Sequence, residues 1–132
     1  MAIYAPSPEL ETLDIEPALV LPALFRVVDA WGLSAAESAR LLGLDSESTI
    51  YAWRKGAKRI GSDKIERIGH ILWIYEMLHS LFGEGAAADG WPKRPNDGAP
   101  FNGRKPVALL CSGRFADIVK IYELLFRKTQ GW

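Results

Sequence analysis

The sequence predicts an all-α protein in which a helix-turn-helix runs on into a helical C-terminal region. Three observations carry that prediction. Apolar residues recur at three- and four-residue steps through most of the chain, the period of helices with a buried face. Glycines punctuate those stretches at Gly32, Gly43, Gly56 and Gly113, where helices commonly close. Ser34 to Arg59 (SAAESARLLGLDSESTIYAWRKGAKR) reads as two short capped helices around a tight turn, which is the helix-turn-helix pattern.

Residues 1–17 form an arm with Pro6, Pro8 and Pro17 among alternating acids. The arm is predicted to have little structure of its own, as chain ends are poorly ordered unless tied down. Ala18 to Trp31 is the first helix, with Leu21, Leu24, Phe25, Val28 and Trp31 on one face and Pro22 near its start. Pro is tolerated there. Ser34 caps the second helix, and Glu37 three residues later completes a capping box. Ala39 is small enough to let the next helix approach, and Gly43 closes this one. Asp45 or Ser46 caps the third helix, which runs to Lys55 with Ile50 and Trp53 facing inward; Leu44, in the turn before it, helps to fill the core between the two helices. Residues 18–61 thus make one helix-turn-helix unit.

Residues 62–132 begin with Ser62 as N-cap of a helix reaching Phe82. Its apolar stripe, Ile65, Ile68, Leu72, Tyr75, Met77, Leu78, Leu81 and Phe82, is wide enough to be buried on more than one side. Gly83 to Asp89 is a small-residue linker. The stretch from Gly90 to Gly103 is too rich in Pro and Gly for a regular helix or central strand, yet it holds Trp91 and Phe101. Either these aromatics clip a loop to the body or they belong to a shaped recognition loop. Pro106 opens a short helix that Ser112-Gly113 breaks, and a last helix runs from Arg114 to Thr129.

Composition bounds the function. With 48% hydrophobic residues the 132-residue chain can build a core. Sixteen basic residues balance sixteen acidic ones, so no global field draws nucleic acid. The distribution is uneven: residues 1–24 carry Glu9, Glu11, Asp14 and Glu16 with no Lys or Arg, whereas the helix-turn-helix and the C-terminal third are basic. The single cysteine, Cys111, lies in an apolar stretch. It forms no internal disulfide, fits a reducing compartment and reads as a packed core thiol. With no basic patch followed by an apolar run at the N-terminus and no stretch of about 18 apolar residues, a cytoplasmic protein is expected. His70 and His79 are nine residues apart without a companion ligand set, and no nucleophile–base pair or phosphate-binding glycine loop is visible. The expectation is a non-enzyme without cofactor or metal.

In a helix-turn-helix the second helix of the motif enters the major groove and residues near its start meet base edges. That places Glu47, Ser48 and Tyr51 as base readers, with Ser48 and Thr49 able to reach base or phosphate. Glu47 can accept from a cytosine amino group or instead serve its own helix N-terminus, where the dipole favours a carboxylate. Arg54, Lys55, Lys58 and Arg59 cluster where phosphates would lie. Reading paired half-sites implies a homodimer.

The segments Glu66–Phe82 (ERIGHILWIYEMLHSLF), Trp91-Pro92-Lys93-Arg94-Pro95-Asn96 and Phe101–Leu110 with Ser112-Gly113 resemble the Xre/MbcA/ParS antitoxins. The resemblance covers about Leu19 to Trp132. It implies an Xre-like helix-turn-helix over 18–61 and a toxin-binding domain over 62–132. It further implies a type II antitoxin that covers the active site of a RES-domain, NAD-degrading toxin and represses its own operon. The C-terminal region is basic, so steric occlusion is expected rather than mimicry of an anionic ligand. The contact residues expected for the toxin are Trp91, Asn96, Phe101, Arg104, Lys105, Arg127, Lys128 and Trp132, as aromatics and Arg dominate interface energy. Two other readings remain: a stand-alone repressor whose C-terminal part serves dimerisation or effector binding, and a helical adaptor that neutralises a partner without touching DNA.

Overall fold

The computed structural model describes residues 17–57, 59–83 and 85–131. Among them are seven α-helices, one 3-10 turn and no strand, confirming the all-α prediction. The helices are α1 (Pro17–Ala30), α2 (Ala35–Leu42), α3 (Glu47–Lys55), α4 (Ser62–Phe82), α5 (Gly85–Gly90), α6 (Pro106–Leu110) and α7 (Phe115–Thr129), with the 3-10 turn at Trp91–Lys93.

Local chemistry explains most of the boundaries. The Ser34 side chain accepts from the Glu37 N–H, and the Glu37 carboxylate accepts from the Ser34 N–H, so the capping box of α2 is complete. Gly43, at φ 65°, closes α2 in the left-handed region, and its N–H returns to the carbonyls of Ala39 and Arg40. Ser46 is the cap of α3, accepting from Ser48 N–H. The cap of α4 is Gly61, without a side-chain bond, and Ser62 is already its first helical residue. This corrects the expected Ser62 cap: Asp63 in the first turn supplies the dipole partner instead.

Two further boundaries differ from expectation. Helix α1 begins at Pro17, so the arm ends one residue earlier and Pro22 stands inside the helix. Pro22 has no N–H to give to the Ala18 carbonyl. The expected linker Gly83–Asp89 is helical from Gly85 onward. Its Ala88 is buried, and Asp89 meets His79 of α4 at 2.9 Å. Tertiary contact thus overrides the poor propensity of its glycines. The arm, residues 1–16, and the side chains of Lys58 and Trp132 lie outside the described residues.

Helix α4 is the axis on which the rest packs. Ile65, Ile68, Ile71, Ile74, Met77 and Leu78 are buried along it, and it packs against α1, α2, α5 and α7. One continuous hydrophobic core joins Leu24, Val28 and Trp31 of α1, Leu41 and Leu42 of α2, Ile50 of α3, and Ile118, Ile121 and Leu125 of α7. Burial within one chain accounts for the stripe of α4 as far as Leu78, while Leu81 and Phe82 at its end stay exposed.

Candidate nucleic-acid and partner-binding surfaces

The α3 face carries the candidate base readers. Glu47, Ser48 and Tyr51 are exposed, Thr49 is half-buried, and Ile50 is buried beneath them. Tyr51 is a large aromatic left 58% exposed at mid-helix, a placement the core does not require. Glu47 stands in the first turn of α3, at the positive end of the dipole. The Ser48 hydroxyl lies 2.7 Å from that of Ser46 and takes part in the cap.

The cations at the far end of α3 divide. Arg54 donates to Asp29 of α1 at 2.8 Å and lies 4.4 Å over the Phe25 ring. Arg54 therefore ties α3 to α1, and a phosphate would share it with Asp29. Lys55 and Arg59 are exposed.

Cations from later in the chain hold this motif by its carbonyls, a feature no sequence pattern indicated. Lys64 donates to Gly43 O at 3.0 Å. Arg67 donates to Leu41 O at 3.1 Å and to Gly113 O at 3.4 Å, beneath it the Phe115 ring at 5.4 Å. Lys93 donates to Gly32 O at 2.7 Å. In the other direction Arg40 of α2 donates to Cys111 O at 3.1 Å. The last carbonyls of a helix lack intrahelical partners, and these cations satisfy them while favouring the negative dipole end.

The second surface surrounds the loop from Arg94 to Lys105. The loop closes on itself: Asn96 N–H donates to Arg104 O at 3.1 Å and Gly103 N–H to Asn96 O at 2.7 Å. Asn102 and Gly103 turn the chain at φ 53° and 89°. Arg104 braces the turn through Phe101 O at 3.2 Å. Phe101 is 0% exposed and packs edge-on against Trp91 at 5.6 Å. The ring expected among the toxin contacts thus lies beneath the surface. Both loop aromatics lie as the clip reading has them: Phe101 and Trp91, itself 7% exposed, hold the loop from beneath.

Trp91, Asn96 and Lys128 are brought together. With Leu81, Phe82 and Leu124 they line a cavity of about 370 Å³ between the end of α4, the loop and α7. Its mouth is apolar, since Leu81 and Phe82 are exposed, and Lys128 supplies its cation. Arg104, Lys105 and Arg127 are exposed but are not part of this cavity.

The remaining titratable groups are structural. Burial pushes the Cys111 thiol up to about 12, so it is no nucleophile. Burial also depresses the His70 imidazole, against the opposing pull of the Glu66 carbonyl bonded to Nδ1 at 2.9 Å and of nearby carboxylates. For Asp117 burial acts to raise the pKa, but the Ser112 hydroxyl at 2.7 Å and Arg114 at 2.8 Å outweigh it and hold the carboxyl below its ordinary value. No helix among the described residues is long and apolar enough to cross a membrane.

Comparison with known proteins agrees with the motif. Residues 13–72 match the antitoxin Xre-like helix-turn-helix domain. The uncharacterized protein y4oB of Sinorhizobium fredii (strain NBRC 101917 / NGR234) is 38% identical over 111 residues, which span 84% of either chain. The similarity to y4oB therefore extends well past the motif into the loop and α-helical C-terminal region. The chain belongs to the same family as y4oB and carries the helix-turn-helix of Xre-like antitoxins.

Proposed function

We propose that the protein is the antitoxin of a type II toxin–antitoxin pair, that it neutralises a RES-domain, NAD-degrading toxin, and that it represses its own operon. The observation that carries this reading is the joining of two open surfaces by α4. One is an antitoxin-type motif with Tyr51 and Lys55 exposed. The other is an apolar-mouthed cavity with Trp91, Asn96 and Lys128. Residues 18–61 form the operator-binding unit and residues 62–132 the toxin-binding unit.

Neutralisation proceeds by occlusion. Residues 91–132 carry eight cations and three acids, the wrong charge to imitate a dinucleotide pyrophosphate. The cavity mouth receives an apolar side chain of the toxin, and Lys128, Arg127, Arg104 and Lys105 meet acidic groups around its NAD site. Lys55 and Arg59 take phosphates, Tyr51 and Ser48 face base edges, and two copies of the chain read paired half-sites.

Co-expression with the RES-type product of a neighbouring gene tests the first half. The wild-type chain co-purifies with the toxin and preserves cellular NAD, whereas Phe82→Asp with Lys128→Glu loses both while keeping its helical spectrum. Retained binding by that variant refutes the cavity as the contact. A gel shift on the DNA upstream of the gene tests the second half. Tyr51→Ala relaxes sequence preference and Lys55→Ala weakens all sequences alike. The zero net charge and Glu47 at the start of α3 favour one competitor, a helical adaptor without DNA binding. Absence of any shift at low salt establishes that adaptor.

A further inference from the structure

A groove of about 490 Å³ runs between the first turns of α1 and the end of α3. Pro17, Leu21, Phe25 and Trp53 give it an apolar floor, and Arg54 and Lys55 stand on its rim. On the same first turns of α1, but outside the groove's lining, Leu19 is 75% exposed, more than any other large apolar side chain among the described residues. Nothing in the core accounts for so much apolar surface at the start of α1. It lies where residues 1–16 join the helix. That segment carries Ile3, Tyr4, Leu10, Leu13 and Ile15 together with four carboxylates and no Lys or Arg. Its composition complements the groove on both counts: apolar side chains for the floor, acids for the rim.

We propose that residues 1–16 are the occupant of this groove and that, seated there, they screen the basic end of α3 from DNA phosphates. Reach is not limiting. From Pro17 to Phe25 the groove follows α1 for about 12 Å at the helical rise, and four extended residues span that distance. The segment is long enough to bring apolar residues over the groove and carboxylates to its rim at Lys55. Lys55 has no ion-pair partner among the described residues. The segment is then an internal competitor for the phosphate-binding end of the motif, which couples operator affinity to whatever engages the N-terminus. The screening part rests on the operator reading above; the docking part does not.

The test uses the full chain labelled with 5-fluorotryptophan, whose five tryptophans give separate resonances, that of Trp53 being assigned with Trp53→Phe. Deleting residues 1–12, or Leu10→Ser with Leu13→Ser, shifts the Trp53 resonance and leaves that of Trp73, which lies outside the groove, in place. Adding a synthetic peptide of residues 1–16 to the deleted chain returns the Trp53 resonance to its original position. A 30-base-pair duplex of arbitrary sequence then binds the deleted chain roughly tenfold more tightly at low salt, a difference that closes as salt rises. Substituting the four acids by their amides reproduces the tighter binding. A Trp53 resonance unmoved by both arm variants overturns the docking. One that moves with protein concentration instead assigns the groove to a second copy of the chain and overturns it equally. A shift without any gain in duplex binding overturns the screening. If neither chain binds the duplex, the operator reading itself fails, and Trp53 still decides the docking.

Discussion

Replacing Gly43 by alanine should cost far more than the usual glycine substitution, and the structure gives the reason. Gly43 closes α2 at φ 65°, where any other residue pays about 1 kcal/mol in backbone strain. A β-carbon there would sit 2.8 Å from the Arg67 guanidinium carbon, inside contact distance. Arg67 must therefore shift, which its flexible side chain can do only by lengthening or giving up its bonds to Leu41 O and Gly113 O. A charge-assisted bond contributes roughly 1.5 kcal/mol or more when buried. Discounted for solvent at this half-exposed site, the two together contribute about 1–2 kcal/mol. The expected total is about 2–3 kcal/mol, or a fall in Tm of about 10 °C for a chain of this size. Gly83→Ala is the control: Gly83 closes α4 in the same left-handed region at φ 70°, but no atom lies within 4 Å of the added carbon, so only strain of about 1 kcal/mol remains. Urea unfolding followed by far-ultraviolet circular dichroism measures both. Equal losses for the two glycine variants would refute the argument. So would additivity of Gly43→Ala with Arg67→Ala, since both act through one contact.

Phe101→Ala removes a fully buried ring from beneath the loop and costs about 3–5 kcal/mol, read as a lowered urea midpoint. The Cys111 thiol, pushed to about 12 by burial, resists iodoacetamide at pH 8 in the folded chain and reacts once the chain is unfolded in urea, as mass spectrometry would show. His70, held below its ordinary 6.5 by burial, binds its proton more weakly folded than unfolded. Its contribution is therefore complete above about pH 6.5 and declines as pH falls through the folded value; unfolding midpoints compared at pH 8 and pH 5 follow it, and the pH dependence diminishes in His70→Gln.

What the sequence disclosed was what local chemistry encodes. The capping box of Ser34 and Glu37, the closing Gly43 and the inward Ile50 each act within a few residues, so their pattern survives in one dimension. The Ala-Gly run before Asp89 did not read as helix, because Ala88 burial and the His79 contact that hold it come from another element. Lys64, Arg67 and Lys93 carried no signal of their role, since their acceptors are carbonyls between 21 and 61 residues away. Of the expected contact residues, Trp91, Asn96 and Lys128 converge on one cavity. Phe101 does not reach the surface, since aromatic identity alone cannot tell an anchor from a binding ring.

The carbonyl clamps on α1 and α2 bear on how such chains can be recombined. A crossover placed in the turn before α4, at Gly61, would look harmless, because it cuts between two helices. It would nonetheless hand the motif to a new C-terminal region lacking Lys64, Arg67 and Lys93, and would strip Arg40 of the Cys111 carbonyl. A helix-turn-helix built this way depends on the half that holds it. Chimaeras that exchange specificity should therefore be built by resurfacing α3 rather than by swapping segments.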